Sequence, residues 1–143
     1  MRGRTYAFLV LAAVGAAVVA GLFTIGGPRE ARREKFDLHR YDDLAFIARA
    51  LLCANRRIAH PVLPEKLNVD SLRAYCSGTE VTAAQLTDKE TGAPYAYTRQ
   101  NDDTFSVCAS FHDAKRIATL HPRGANAAFA FDPDTGCVSG RIR

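Results

Sequence analysis

Tryptophan is absent, methionine occurs once, and no charged side chain lies between Thr5 and Pro28. No two cysteines are spaced C-x-x-C, which removes the usual thiol-redox motif and the common paired zinc knuckles. A G-x-S-x-G nucleophile elbow and a glycine-rich phosphate loop are also missing, and with them the simplest signatures of a hydrolase or a nucleotide-binding enzyme. There is no internal repeat or low-complexity stretch, so a solenoid or a disordered array is excluded. An excess of one charge over the folded part is lacking too. The net charge of +4 comes from Arg2 and Arg4 and from four basic against two acidic residues in 29–35, while basic and acidic residues balance from Phe36 onward. No nucleic-acid footprint follows from that distribution.

What is present begins with an uncharged run, Tyr6 to Gly27, in a chain of 143 residues. A helix needs about 20 apolar residues to cross the hydrocarbon core, so this run is long enough to span it. A cleavable signal peptide has a shorter apolar core, and Val18-Val19-Ala20 resembles its cleavage site. The apolar sequence nevertheless continues through Leu22, Phe23 and Ile25, which favours an uncleaved anchor. Basic residues flank both ends, so the positive-inside rule does not orient the segment. Four cysteines without metal-ligand spacing read as disulfides, which persist in oxidising compartments, and the folded part is therefore expected outside the cytoplasm. Ala13, Ala17 and Gly21 recur four apart, as do Ala12, Ala16 and Ala20. That spacing would let a partner helix approach closely.

Gly26-Gly27-Pro28 is expected to end the first helix and start another. Apolar residues at Tyr41, Leu44, Ile47, Ala48, Leu51, Leu52 and Ile58 make one helical stripe over about 29–60, with Arg33, Arg40, Arg49, Arg56 and Arg57 mostly off it. Pro61 and Pro64 close that helix, and a short helix is expected around Asp70 to Tyr75, capped by Asp70 or Ser71. Beyond Ser77 the period becomes two. Pro94–Arg99 and Thr104–Phe111 read as a hairpin around Gln100-Asn101-Asp102-Asp103, and Ala127–Phe131 with Cys137–Ile142 as a second pair around Asp132–Gly136. The expected fold is α+β: an N-terminal transmembrane helix, then an amphipathic helix packed on a small antiparallel sheet. The expected domains are an anchor over 1–28 and a periplasmic domain over 29–143.

Three features resemble the pilin and pseudopilin-like proteins of bacterial envelopes. They are the N-terminal apolar helix, the helix carrying Asp42-Asp43-Leu44-Ala45-Phe46-Ile47 ahead of Leu63-Pro64, and the run Asp88-Lys89-Glu90-Thr91-Gly92-Ala93-Pro94-Tyr95-Ala96-Tyr97. The last is similar to the D-P-x-T-G-x-P-Y-x-Y stretch of major pseudopilins and of uncharacterised single-pass proteins sharing their outer domain. In that second group a cysteine matching Cys108 accompanies a late one matching Cys137. The pilin-type leader, with Phe-Thr-Leu-Ile-Glu before the apolar run, has no counterpart: Gly21-Leu22-Phe23-Thr24-Ile25 ends that run, and no Glu follows. The resemblance thus covers the outer domain and not filament assembly.

Four cysteines permit three pairings, of which Cys53–Cys76 and Cys108–Cys137 are preferred. Cys108 and Cys137 fall in strands of one sheet, while Cys53 and Cys76 flank the Leu63-Pro64 turn. His39, His60, His112 and His121 fit no standard metal spacing. Asp132-x-Asp134-x-Gly136 has part of a calcium loop without its later Glu, and is expected to be a turn. No catalytic residue, metal or cofactor is assigned. The expectation is a non-catalytic, single-pass inner-membrane accessory or assembly subunit of a bacterial envelope complex. Its partners would be the lipid bilayer and membrane proteins met through the anchor or the outer domain. A minor pilin-like component of a secretion or pilus machine is the alternative.

Overall fold

A computed structural model describes residues 2–24, 27–53, 62–76, 78, 80–121 and 128–142. The chain divides into two compact units, Met1–Glu34 and Lys35–Arg143.

In the first unit, helix α1 runs over Arg2–Thr24. Its stretch Gly3–Gly21 has 19 residues and is long and apolar enough to cross a membrane, as a membrane anchor or an N-terminal signal sequence would be. Within this unit the side chains from Tyr6 to Val19 are exposed, including Phe8 at 72% and Leu11 at 68%. Helix α2 is Pro28–Cys53. Proline suits its first position, where no intrahelical N–H bond is lost, and the Gly27 carbonyl accepts from the Glu30 amide at 2.9 Å.

In the second unit, Leu44, Ile47, Ala48 and Leu51 of α2 are fully buried, at the i, i+3, i+4, i+7 spacing of one helix face. They share a core with one face of a four-stranded antiparallel sheet in the order β1-β2-β4-β3. The strands are β1 Ala96–Arg99, β2 Thr104–Cys108, β3 Phe129–Asp132 and β4 Cys137–Arg141. Phe105 and Val107 of β2, Val138 of β4 and Phe131 of β3 point inward, with Val107 opposite Val138 and Phe131 also opposite Val138. Gly140 sits opposite Phe105, and a Cβ there would lie 2.7 Å from Cζ of the ring, so the missing side chain leaves the space that the far end of the phenyl ring fills. Tyr41 of α2 meets Phe131 edge-on at 5.4 Å, which fixes the helix against the far strand.

Helix α2 is described as far as Cys53, and the rest of the expected stripe, with Ile58, His60 and Pro61, lies outside the described residues. Helix α3, Val69–Tyr75, is capped by Asn68 and not by Asp70 or Ser71. The Asn68 side chain accepts from the Ser71 amide at 2.7 Å while the Ser71 hydroxyl accepts from the Asn68 amide at 3.0 Å, so two orphan donors are satisfied reciprocally. The strands are shorter than the alternation suggested, since β2 ends at Cys108 and leaves Ala109 and Phe111 in a loop that still packs on the core. Helix α4, Ala114–Leu120, was not expected. Asp113 caps it by accepting from the Arg116 amide, and one residue, Ile117, is buried.

Candidate functional site

The second unit buries an arginine. Arg40 is 2% exposed and Asp37 2%, and both belong to α2. The guanidinium Nη1 donates to Asp37 at 2.8 Å, Nε donates to Asp88 at 2.7 Å, and Nη2 donates to Glu90. Asp37 in turn accepts from the backbone amides of His112 at 3.0 Å and Asp113 at 2.8 Å, the second being the cap of α4. The imidazole Nε2 of His112 closes the ring against Glu90 at 2.8 Å. One planar fork thereby joins three segments distant in sequence: α2, the turn at 88–92 and the loop entering α4.

The turn is shaped to present its acids. Asp88 accepts from the amides of Glu90 and Thr91, the Gly92 amide returns to the Asp88 carbonyl at 2.7 Å, and Gly92 takes a φ of +72° that only glycine adopts without strain. Beyond it Tyr95 donates its hydroxyl to Asp43 of α2 at 3.0 Å, and Tyr97 donates to the Pro64 carbonyl at 2.8 Å. Arg99 donates to the Leu63 carbonyl at 3.0 Å. The whole 88–99 stretch is therefore a strap from α2, across the turn and β1, to the Leu63-Pro64 segment.

Electrostatics separate two kinds of carboxyl here. Burial works against the Arg40 charge, yet its bonds to Asp88, Glu90 and Asp37 outweigh this and hold it more firmly protonated than an ordinary arginine. Burial also disfavours the Asp88 carboxylate, but the Arg40 bond and the turn amides outweigh it and lower its pKa. The His112 bond, then the Arg40 bond, lower that of Glu90. Asp43 goes the other way, raised by burial against the opposing Tyr95 bond and the Lys89 ammonium 4.0 Å away. Burial pushes the Tyr97 hydroxyl up to about 12, so it stays a donor at neutral pH.

A carboxyl with a raised folded pKa costs stability when ionised, and the cost is relieved as pH falls toward the unfolded value. Asp43→Asn keeps an acceptor for Tyr95 and removes the charge. Its unfolding free energy from urea titration at pH 7 should be no more than about 0.5 kcal/mol below that of the parent, and any advantage should shrink on acidification. A loss beyond about 2 kcal/mol at pH 7 would show that the ionised group is itself stabilising.

With Arg40 2% exposed and its guanidinium shared among three carboxylates, this assembly is a latch holding α2, the strap and the start of α4 together. Its one half-exposed end is the His112–Glu90 pair. No protein-family model, no curated protein and no solved structure matches the chain.

The structure joins Cys53 to Cys76 and Cys108 to Cys137. The first bond ties the end of α2 to the cap of α3, and the second bridges directly opposed residues of β2 and β4 on the sheet face away from the core. Ala13, Ala17 and Gly21 lie along one side of α1, with the two alanines exposed. Both Asp132 carboxylate oxygens serve its turn, one taking the Asp134 amide at 3.0 Å and the other the Thr135 hydroxyl at 2.8 Å. Asp134 is 3.7 Å from Lys115. Among the described residues no group of three or more His, Cys, Asp or Glu could hold a metal ion. His121 stacks on Tyr41 at 4.3 Å.

Sequence reasoning missed the latch because the pattern sets the five arginines, Arg40 among them, only as a group mostly off the apolar stripe. Two signals were available: Asp37 three residues before Arg40, where i and i+3 side chains meet, and the acids Asp88 and Glu90 at alternate positions of a turn motif already singled out.

Proposed function

We propose that the protein is a non-catalytic, single-pass inner-membrane subunit of a larger bacterial envelope complex, with the Lys35–Arg143 unit in the periplasm. The observation that carries this reading is the pairing of an exposed apolar helix, Gly3–Gly21, with a unit stapled by two disulfides. The helix needs an apolar surrounding, and the staples need an oxidising one. The polar groups of the second unit support an accessory role, since its best-formed charge cluster is spent on its own fold. Assembly is tested by native electrophoresis of the chain expressed at its natural level and extracted in mild detergent. A single species well above the monomer is expected, and Ala17→Leu or Gly21→Leu should reduce it while Val14→Leu leaves it intact. A monomer under every mild extraction condition refutes the subunit reading.

The pilin-like alternative is favoured by one feature, the Asp88–Tyr97 strap pinned between a long helix and an antiparallel sheet. It requires a mature N-terminus that has lost a short leader, and an intact N-terminus after purification excludes it.

A further inference from the structure

The first turns of α2 carry Arg29, Arg32 and Arg33, each exposed, at i, i+3 and i+4. At 100° per residue these three fall within about 100° of one another, while Glu30 and Glu34 begin about 60° beyond the stripe's edge. The charges of 29–34 are thus sorted into an arginine stripe and an acidic flank, although they interleave in sequence. The stripe also stays near the apolar helix. Arg29 is five residues past Thr24, the end of α1, which limits it to roughly 18 Å even for a fully extended link, and helical rise adds only about 6 Å to reach Arg33.

We propose that Arg29, Arg32 and Arg33 bind the phosphates of anionic phospholipid headgroups at the membrane surface from which α1 emerges. This rests on the membrane-anchor reading. Guanidinium forks suit phosphate oxygens bidentately, and a basic segment beside a span is attracted to anionic lipid within about a Debye length of the surface. The location adds a second argument. With the second unit outside, these arginines lie on the flank where the positive-inside bias disfavours basic residues, and a headgroup partner offsets that cost. The remainder of the chain from Phe36 is charge-balanced, so on this side of the apolar helix the excess positive charge lies within 29–35.

The test uses the full chain in nanodiscs of equal phosphatidylglycerol and phosphatidylcholine, with lipids retained after detergent stripping counted by native mass spectrometry. The wild type should enrich phosphatidylglycerol by about threefold or more, and the triple variant Arg29→Gln, Arg32→Gln, Arg33→Gln should approach parity. The double variant Glu30→Gln, Glu34→Gln, which removes only the acidic flank, should raise the enrichment. Equal enrichment in the wild type and the arginine variant, or parity in the wild type, overturns the proposal. Alkaline carbonate extraction of native membranes separates the two failures. Release of the chain refutes the anchor, whereas a retained chain without lipid preference refutes the arginine stripe alone.

Discussion

Replacing Arg40 by methionine should lower the stability of the second unit by about 3–5 kcal/mol, the range expected when one partner of a buried ion pair is removed. The magnitude comes from what remains. Asp37 and Asp88 stay 2% and 7% exposed and lose the cation that compensates them. Asp37 keeps its two amide donors ahead of α4, and Asp88 keeps its turn amides, so neither can turn to water without giving up those bonds. Arg40→Lys should recover part of the loss, because an ammonium supplies charge but not a planar fork able to meet three carboxylates at once. Denaturant unfolding in mild detergent measures both. The parent should also weaken below about pH 4: the lowered Asp88 and Glu90 groups contribute above the ordinary carboxylate range and lose that contribution as pH falls through their folded values. In Arg40→Met that acid dependence should flatten. A full-sized acid transition in the variant would show that other carboxylates govern it.

Removing the Cys108–Cys137 bond by a paired change to alanine should cost about 3–4 kcal/mol, the loop-entropy value for closing about 30 residues. This bond lies on the solvent side of a ladder whose inner side is already held by Val107 and Val138, so the sheet should survive with its register intact. The Cys53–Cys76 pair closes a loop of similar length and should cost a similar amount by the same model. Its loss, however, frees the end of α2 from α3, where no strand pairing compensates. Hydrogen exchange distinguishes the two variants: protection should fall across the sheet only modestly in the first, and at Leu51–Cys53 and Val69–Tyr75 in the second. A drop of less than about 1 kcal/mol for either pair would contradict the staple role.

How far these features could be read beforehand depended on which force shaped each one. The α2 stripe was legible because Leu44, Ile47, Ala48 and Leu51 are apolar at helical spacing. The two hairpins were legible because Phe105 and Val107 alternate with polar residues and Asp132–Gly136 is dense in turn formers. Helix α4 was not, since seven residues with a single buried Ile117 carry too few turns to establish a period, and its stability comes from Asp113 and from the dock on Asp37. Strand order is legible only indirectly: a Cys108–Cys137 bond sets β4 beside β2 and the turn at 132–136 sets it beside β3, as the sheet has it. Arg40 shows the general difficulty. A charge on an amphipathic helix is ordinarily solvated, and only the three-dimensional meeting of Asp37, Asp88 and Glu90 makes its burial affordable in free energy.

The central proposal is of a membrane-anchored chain whose disulfide-bonded unit lies outside the cytoplasm. A C-terminal epitope placed after Arg143 and followed in intact spheroplasts treated with proteinase K tests this most directly. The account predicts that the epitope signal disappears while a cytoplasmic marker survives and a short N-terminal fragment remains with the membrane. Persistence of the full-length signal until the spheroplasts are lysed would contradict it.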